Sequence, residues 1–174
     1  MKKIIIFLAL LLVLSINAFA ARPGGLGVGI VGEQNLTGSG SSNWEAALSL
    51  KAPSLPIYWG ISLEIRNNEW GLGLTGDNYL LDVSLIRNIN FGWYLGLGAY
   101  AGFHRYNDEI VSWSTFSVGA RVPIGIYIMP ARIFELFLNL VPTIGMDFLT
   151  TDTDTSYSFP EGGMNIGVGL RFWF

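Results

Sequence analysis

The chain of 174 residues contains no cysteine, a single histidine and few charged residues. Neither a disulfide framework nor a lipid-modified N-terminal cysteine can therefore form. Charged residues make up 13% of the sequence, about half the share of roughly 25% in soluble domains. Hydrophobic residues make up 51%, and the mean hydropathy is +0.43. This composition predicts a surface that contacts something other than water over much of its area.

The first 20 residues have the features of a secretory signal peptide. Lys2 and Lys3 form a basic start, residues 4–14 are apolar, and Ala18 and Ala20 supply the small residues of a cleavage site. The apolar run is shorter than the roughly 20 residues that a membrane-spanning helix needs. We therefore expect cleavage after Ala20, which divides the chain into a signal peptide (1–20) and one domain (21–174).

The predicted mature domain is acidic. Without Lys2 and Lys3 it keeps eight basic and thirteen acidic residues, a net charge of −5. Nucleic acid is therefore not an expected partner, because phosphate binding needs a basic face.

No long apolar run remains after residue 20, so a bundle of membrane-spanning helices is excluded. Only helices and closed barrels satisfy their backbone groups in hydrocarbon, and a closed barrel is the remaining way to meet lipid. Apolar residues instead recur with a period of two, which indicates β-strands. Eight such segments predict an all-β fold, a closed antiparallel up-and-down transmembrane β-barrel of about eight strands. The segments are 25–30, 45–51, 59–66, 79–85, 91–103, 116–128, 135–140 and 164–174.

The connectors alternate between short and long, as in bacterial barrels whose chain ends face the periplasm. Four long connectors are predicted to be extracellular loops: 34–43, 66–78, 104–114 and 149–163. In the second of these, Trp70 is out of phase with Tyr79 onward, which predicts a bulge or an extended loop. Pro123 and Pro142 fall inside strand patterns and predict a bulge or kink near a rim.

The non-apolar face of the strands is mostly glycine, serine and tyrosine, which suits the narrow interior of an eight-stranded barrel better than a water-facing coat. Charges of both signs also fall on this face. Because buried charges are usually paired, we predict an internal ion-pair network that plugs the barrel. Its members are Glu64, Asp82, Arg121, Glu135 and Arg171. Aromatic residues on the apolar face predict girdles at the lipid boundary: Trp59, Tyr79, Phe91, Trp93, Phe116 and Phe174.

The ending of the chain, residues 167–174, resembles the terminal strand of bacterial outer-membrane barrels, which closes on an aromatic residue. The resemblance implies that Leu170, Phe172 and Phe174 form the signal read by the barrel-assembly machinery. The whole domain is similar to the small-barrel class of OmpX, OmpW and the OmpA membrane domain. Its blocks 118–125 and 134–136 are similar to those of small barrels of unassigned function. The class implies a monomer in the outer membrane, in contact with its lipid.

The sequence offers little for chemistry. Hydrolysis typically needs a histidine base held by a carboxylate, and His104 falls in a predicted loop. No cluster has metal-ligand spacing, and no cofactor motif is present, so we expect neither an enzyme nor a cofactor. The leading hypothesis is a structural or surface-interaction barrel that meets an extracellular ligand through its loops. An OmpW-like channel for small apolar solutes, opened laterally near Gly76, Pro123 and Pro142, is the alternative, and a lipid-modifying enzyme is the third.

Overall fold

A computed structural model describes residues 22–37, 44–65, 68–108, 112–151 and 154–174. The predicted signal peptide, residues 1–20, lies outside the described residues. Within the described part of the chain, no helix is long and apolar enough to cross a membrane. The strands are β1 (Gly27–Asn35), β2 (Trp44–Lys51), β3 (Ile57–Ile65), β4 (Glu69–Ile86), β5 (Phe91–Asn107), β6 (Ser112–Arg121), β7 (Ile124–Ala131), β8 (Phe134–Thr151) and β9 (Thr155–Trp173), with one 3-10 turn at Arg87–Ile89.

The strands form one closed antiparallel ring. From β1 to β5 each strand pairs with the next, β6 and β7 both lie between β5 and β8, and β8 pairs with β9. Strand β1 also pairs with β9, from Gly27 opposite Trp173 to Asn35 opposite Asn165. The backbone bonds between Leu26 and Phe174, at 3.0 and 2.8 Å, extend this seam to the last residue. The predicted all-β, up-and-down barrel is confirmed.

Strands β6 and β7 together form one side of the barrel, so the ring has eight sides. The register of this side against β5 and against β8 is the same before and after Pro123. Pro123 accepts a bond from Gly96 (2.8 Å), and Val122 donates to Pro142 (2.9 Å). The two prolines therefore interrupt the ladder only where each lacks a donor. The predicted bulge is wrong, since no register shift occurs at either proline, although the strand is interrupted at Pro123, between β6 and β7.

The predicted loops are shorter than expected. Most of 66–78 belongs to β4, which pairs with β3 up to Ile65 opposite Trp70. Strands β5 and β6 extend into 104–114, and β8 and β9 into 149–163. Polar composition favours loops in these segments. Polar residues nevertheless pair as strands where the barrel extends beyond its apolar band.

The outer surface carries an apolar band between two aromatic girdles. Near one end Phe134 packs on Phe172, with ring centroids 5.2 Å apart, and near the other Trp70 packs on Phe103, also at 5.2 Å. Trp93 and Phe103 stand ten residues apart on β5. At about 3.3 Å per residue and a tilt of about 40°, they are separated by about 25 Å along the barrel axis, the height of the apolar band in membrane barrels.

Tyr79 points into the barrel, and its prediction as a girdle residue is wrong. The β4–β5 register shifts between Tyr79 and Leu81, so a bulge reverses the facing of the residues before and after it. Tyr79 stacks on Tyr58 and Tyr94, with ring centroids 4.0 and 4.3 Å away. The predicted change of phase along β4 is confirmed, but the bulge lies after residue 78 instead of within a loop.

Candidate functional site

The first described residues meet the C-terminus at one end of the barrel. The lower cluster fills the interior there: Arg22, Asp82, Glu135, Arg171 and Trp173. Glu135 is completely buried and accepts a bond from Arg171 (3.1 Å) and from the indole of Trp173 (2.8 Å). The other terminal nitrogen of Arg171 donates to Ser49 Oγ at 2.9 Å. Because β8 and β9 pair in register at Glu135 and Arg171, the backbone itself brings this acid and this base together.

Arg22 enters the same cluster from outside the strands. Its Nε lies 3.0 Å from Glu135 Oε1 and 3.9 Å from Asp82 Oδ2. Four tyrosine rings, the tyrosine cage, surround its guanidinium: Tyr58, Tyr79, Tyr94 and Tyr127. Their centroids lie 5.7, 5.0, 4.4 and 4.1 Å from Cζ. Each distance is within the range for cation–π attraction.

The upper cluster lies nearer the other end and consists of Glu33, Asp77 and Arg121. Arg121 Nη2 donates to Glu33 at 2.8 Å, and its Nε lies 3.1 Å from Asp77 Oδ1. Arg121 is only 3% exposed, so its charge is compensated almost entirely by these two carboxylates. The three residues come from β1, β4 and β6 and bridge the interior from several sides.

The structure distributes the five predicted network residues over three groups instead of one. Asp82, Glu135 and Arg171 are brought together, whereas Arg121 stands in the upper cluster. Glu64 is half-buried near the end of the barrel opposite the lower cluster, where its Oε2 lies 3.7 Å from His104 Nδ1. Its position near the end of β3 separates it from the lower cluster.

Sequence reasoning missed Arg22, Glu33 and Asp77. Glu33 lies in phase with inward-facing Gly27 and Gly29, and that phase could have identified it. Asp77 falls in the segment 66–78, which the sequence predicts to be a loop, so no inward facing could be assigned to it. Arg22 had no periodic signal, because it precedes the first strand.

Above Arg121 the interior opens into a vestibule of about 380 Å³. Its wall carries the carboxylates of Glu45, Asp147 and Glu161 together with His104. Among the described residues, no three histidine or acidic side chains stand close enough to hold a metal ion. The vestibule is therefore an acidic, water-accessible cup that is closed below by the upper cluster.

Beyond the girdle that contains Trp70 and Phe103, strands β5, β6, β8 and β9 continue and form a rim that we call the crown. The crown consists of residues 104–107, 112–115, 149–151 and 155–161. Tyr157 is 75% exposed and Phe159 is 62% exposed on its β9 edge. Clustered apolar residues that stay exposed can mark a contact site.

The terminal strand places its three predicted assembly residues on the outer surface. Phe174 is 79% exposed and Phe172 44% exposed, and Leu170 has the same facing as Phe172. Arg171 and Trp173 alternate with them and point inward. The last strand therefore contacts the surroundings with one face and the lower cluster with the other.

Comparisons with known proteins give a family and two similar structures. A crystal structure of a major outer membrane protein from Thermus thermophilus has 13% identity and a TM-score of 0.49, covering 86% of this chain and 98% of that one. Neisserial surface protein A has 10% identity and a TM-score of 0.49, covering 87% and 98%. No curated protein sequence matches the chain. The model of the family described as "Protein of unknown function (DUF3996)" matches residues 46–172, and the chain therefore belongs to this family.

Proposed function

We propose that the protein is a plugged outer-membrane barrel that presents its crown to extracellular molecules. The supporting observation is the combination of an apolar outer band about 25 Å high with an interior crossed by two ion-pair clusters. In this orientation the chain termini face the periplasm, after export and insertion by the barrel-assembly machinery. The ring closes within one chain, so a second copy is not needed to complete the barrel, and the proposed form is a monomer.

Cysteine labelling tests this orientation, since the native chain has no cysteine. Thr155→Cys places a thiol on the crown, and Asn88→Cys places one on the exposed turn at the opposite end. We expect a membrane-impermeant maleimide to label Thr155→Cys on intact cells and Asn88→Cys only after the outer membrane is permeabilised. The reverse pattern, or equal labelling of both, would contradict the proposal.

Conductance tests the plug. An eight-stranded barrel leaves room only for side chains, whereas porins of 16–18 strands leave an aqueous channel. We expect the refolded domain in a planar bilayer to show no steady current under conditions in which a porin conducts. Steady single-channel currents would refute the plugged interior. The continuous register at Gly76, Pro123 and Pro142, with backbone bonds at Val122 and Pro123, favours the plugged barrel over the alternative of a lateral route there.

The crown is the proposed contact surface. Aromatic side chains dominate contact energies in protein interfaces, and Tyr157 and Phe159 are the large exposed aromatics of the β9 edge. The double change Tyr157→Ser and Phe159→Ser should abolish capture of an extracellular partner by vesicles that carry the protein. Ser156→Ala is the matched control on the same edge. Equal capture by the native protein, the double variant and Ser156→Ala would contradict the crown as the contact surface.

A further inference from the structure

The tyrosine cage surrounds the side chain of a residue that belongs to no strand. Arg22 is 4% exposed although it lies on the end segment that precedes β1. Its charge is met by Glu135, which also binds Arg171, and by Asp82 at a longer distance. The four tyrosines come from β3, β4, β5 and β7, so the barrel wall forms the cage and Arg22 occupies it.

The chemistry of the cage matches a guanidinium group. A guanidinium is planar, always charged near neutral pH, and more weakly hydrated than an ammonium, so it stacks on aromatic faces at a low desolvation cost. The rings lie within 4.1–5.7 Å of its central carbon, and carboxylates supply the opposite charge. Aromatic rings with a counter-charge are also how proteins recognise free organic cations.

The segment that carries Arg22 is held by the side chain of Arg22 and by few backbone hydrogen bonds. Among the described residues before β1, backbone hydrogen bonds begin at Leu26, which bonds to Phe174. A cavity of about 390 Å³ lies beside the segment, and its lining includes Arg22, Pro23, Gly25, Met129 and Arg132. Arg22 lines this cavity while its guanidinium fills the cage, so removing the Arg22 side chain would join the cavity to the cage.

We propose that the tyrosine cage, with Glu135 and Asp82, is a binding site for alkylguanidinium cations that is occupied by the chain's own Arg22. The N-terminal segment is then a tethered plug, and a free alkylguanidinium entering from the periplasmic end can take its place. Residues 23–26 connect Arg22 to β1 and lie outside the strands, so the exchange breaks side-chain contacts of Arg22 but no strand pairing.

Chemical rescue of Arg22→Ala tests the site. The variant should unfold at a lower temperature than the native domain, as followed by heat-modifiable gel mobility. Millimolar methylguanidinium should raise its midpoint by a few degrees, because a ligand that binds only the folded state stabilises that state. Urea, a neutral planar molecule of similar shape, and sodium chloride at equal ionic strength should give no such shift.

Two variants define the specificity. Arg132→Ala removes an exposed arginine that borders the same cavity, and methylguanidinium should leave its midpoint unchanged. Adding Tyr94→Leu to Arg22→Ala should abolish or strongly reduce the rescue. If Arg22→Ala folds poorly, its refolding yield becomes the measurement, and methylguanidinium should increase that yield. A midpoint or yield that responds equally to urea, or not at all, would overturn the proposal.

Discussion

Replacing Glu135 with glutamine removes the carboxylate on which the lower cluster depends. Glu135 is completely buried, and it meets Arg22 at 3.0 Å, Arg171 at 3.1 Å and the Trp173 indole at 2.8 Å. Glutamine keeps the size but not the charge, so Arg171 would lose its carboxylate partner and Arg22 would keep only Asp82, at 3.9 Å. Removing one partner from a buried ion pair costs about 3–5 kcal/mol.

The expected loss is large enough to measure without ambiguity. For a domain of this size, about 1 kcal/mol corresponds to roughly 2–4 °C in midpoint, so Glu135→Gln should lower the midpoint by at least about 6 °C. Urea unfolding of the refolded domain, followed by gel mobility and tryptophan fluorescence, gives the free energy directly. The matched control is Glu45→Gln at the exposed vestibule wall, for which we expect a change within about 0.5 kcal/mol.

A double-mutant cycle locates the loss. Glu135 and Arg22 are in direct contact, so Glu135→Gln and Arg22→Gln together should cost less than the sum of the two single changes. If Glu135→Gln unfolds no earlier than Glu45→Gln, the lower cluster does not stabilise the barrel, and our interpretation of the interior is wrong.

Three further substitutions test other parts of the barrel. Gly98→Ala should destabilise the barrel by more than about 1 kcal/mol in urea titration, because its Cβ would meet Asp77 and the Gly76 carbonyl, whereas Gly24→Ala, with nothing within 4 Å, should not. His104→Ala should leave the lipid A of the host membrane unchanged in mass spectra; a lost modification would instead support the enzyme hypothesis. Phe174→Ser should reduce the amount of barrel inserted in cells, measured by heat-modifiable mobility, more than Phe159→Ser does, because only Phe174 lies in the predicted assembly signal.

The periodicity of the sequence predicts the strands well because an apolar outer band requires every second residue to be apolar. This requirement holds for Phe91 to Phe103 and for the terminal strand, and both appear as predicted. It no longer applies beyond the girdles, where both faces of a strand meet water. The crown therefore has the composition of loops, although its backbone groups pair as strands.

The interior is only partly predictable for a different reason. The period of two predicts whether a side chain points into the barrel or toward lipid, and it correctly places Asp82, Arg121, Glu135 and Arg171 in the interior. Pairing partners depend on register and on bulges, which the period does not specify. The bulge after Tyr79 turns a predicted lipid-facing tyrosine into part of the cage, and Arg22 reaches the cluster from a segment with no periodicity.

The distribution of charge explains how one narrow interior is both closed and open. In the lower cluster, Arg22 and Arg171 stand against Asp82 and Glu135. Buried Lys51, whose Nζ lies 5.7 Å from the Tyr58 ring centroid, adds a third positive charge at its border. In the upper cluster a single arginine meets two carboxylates, and the vestibule above it adds further acidic groups. Excess negative charge is tolerated only where water can solvate it. The interior is therefore closed where opposite charges pair in the lower cluster, and it is acidic and water-accessible in the vestibule.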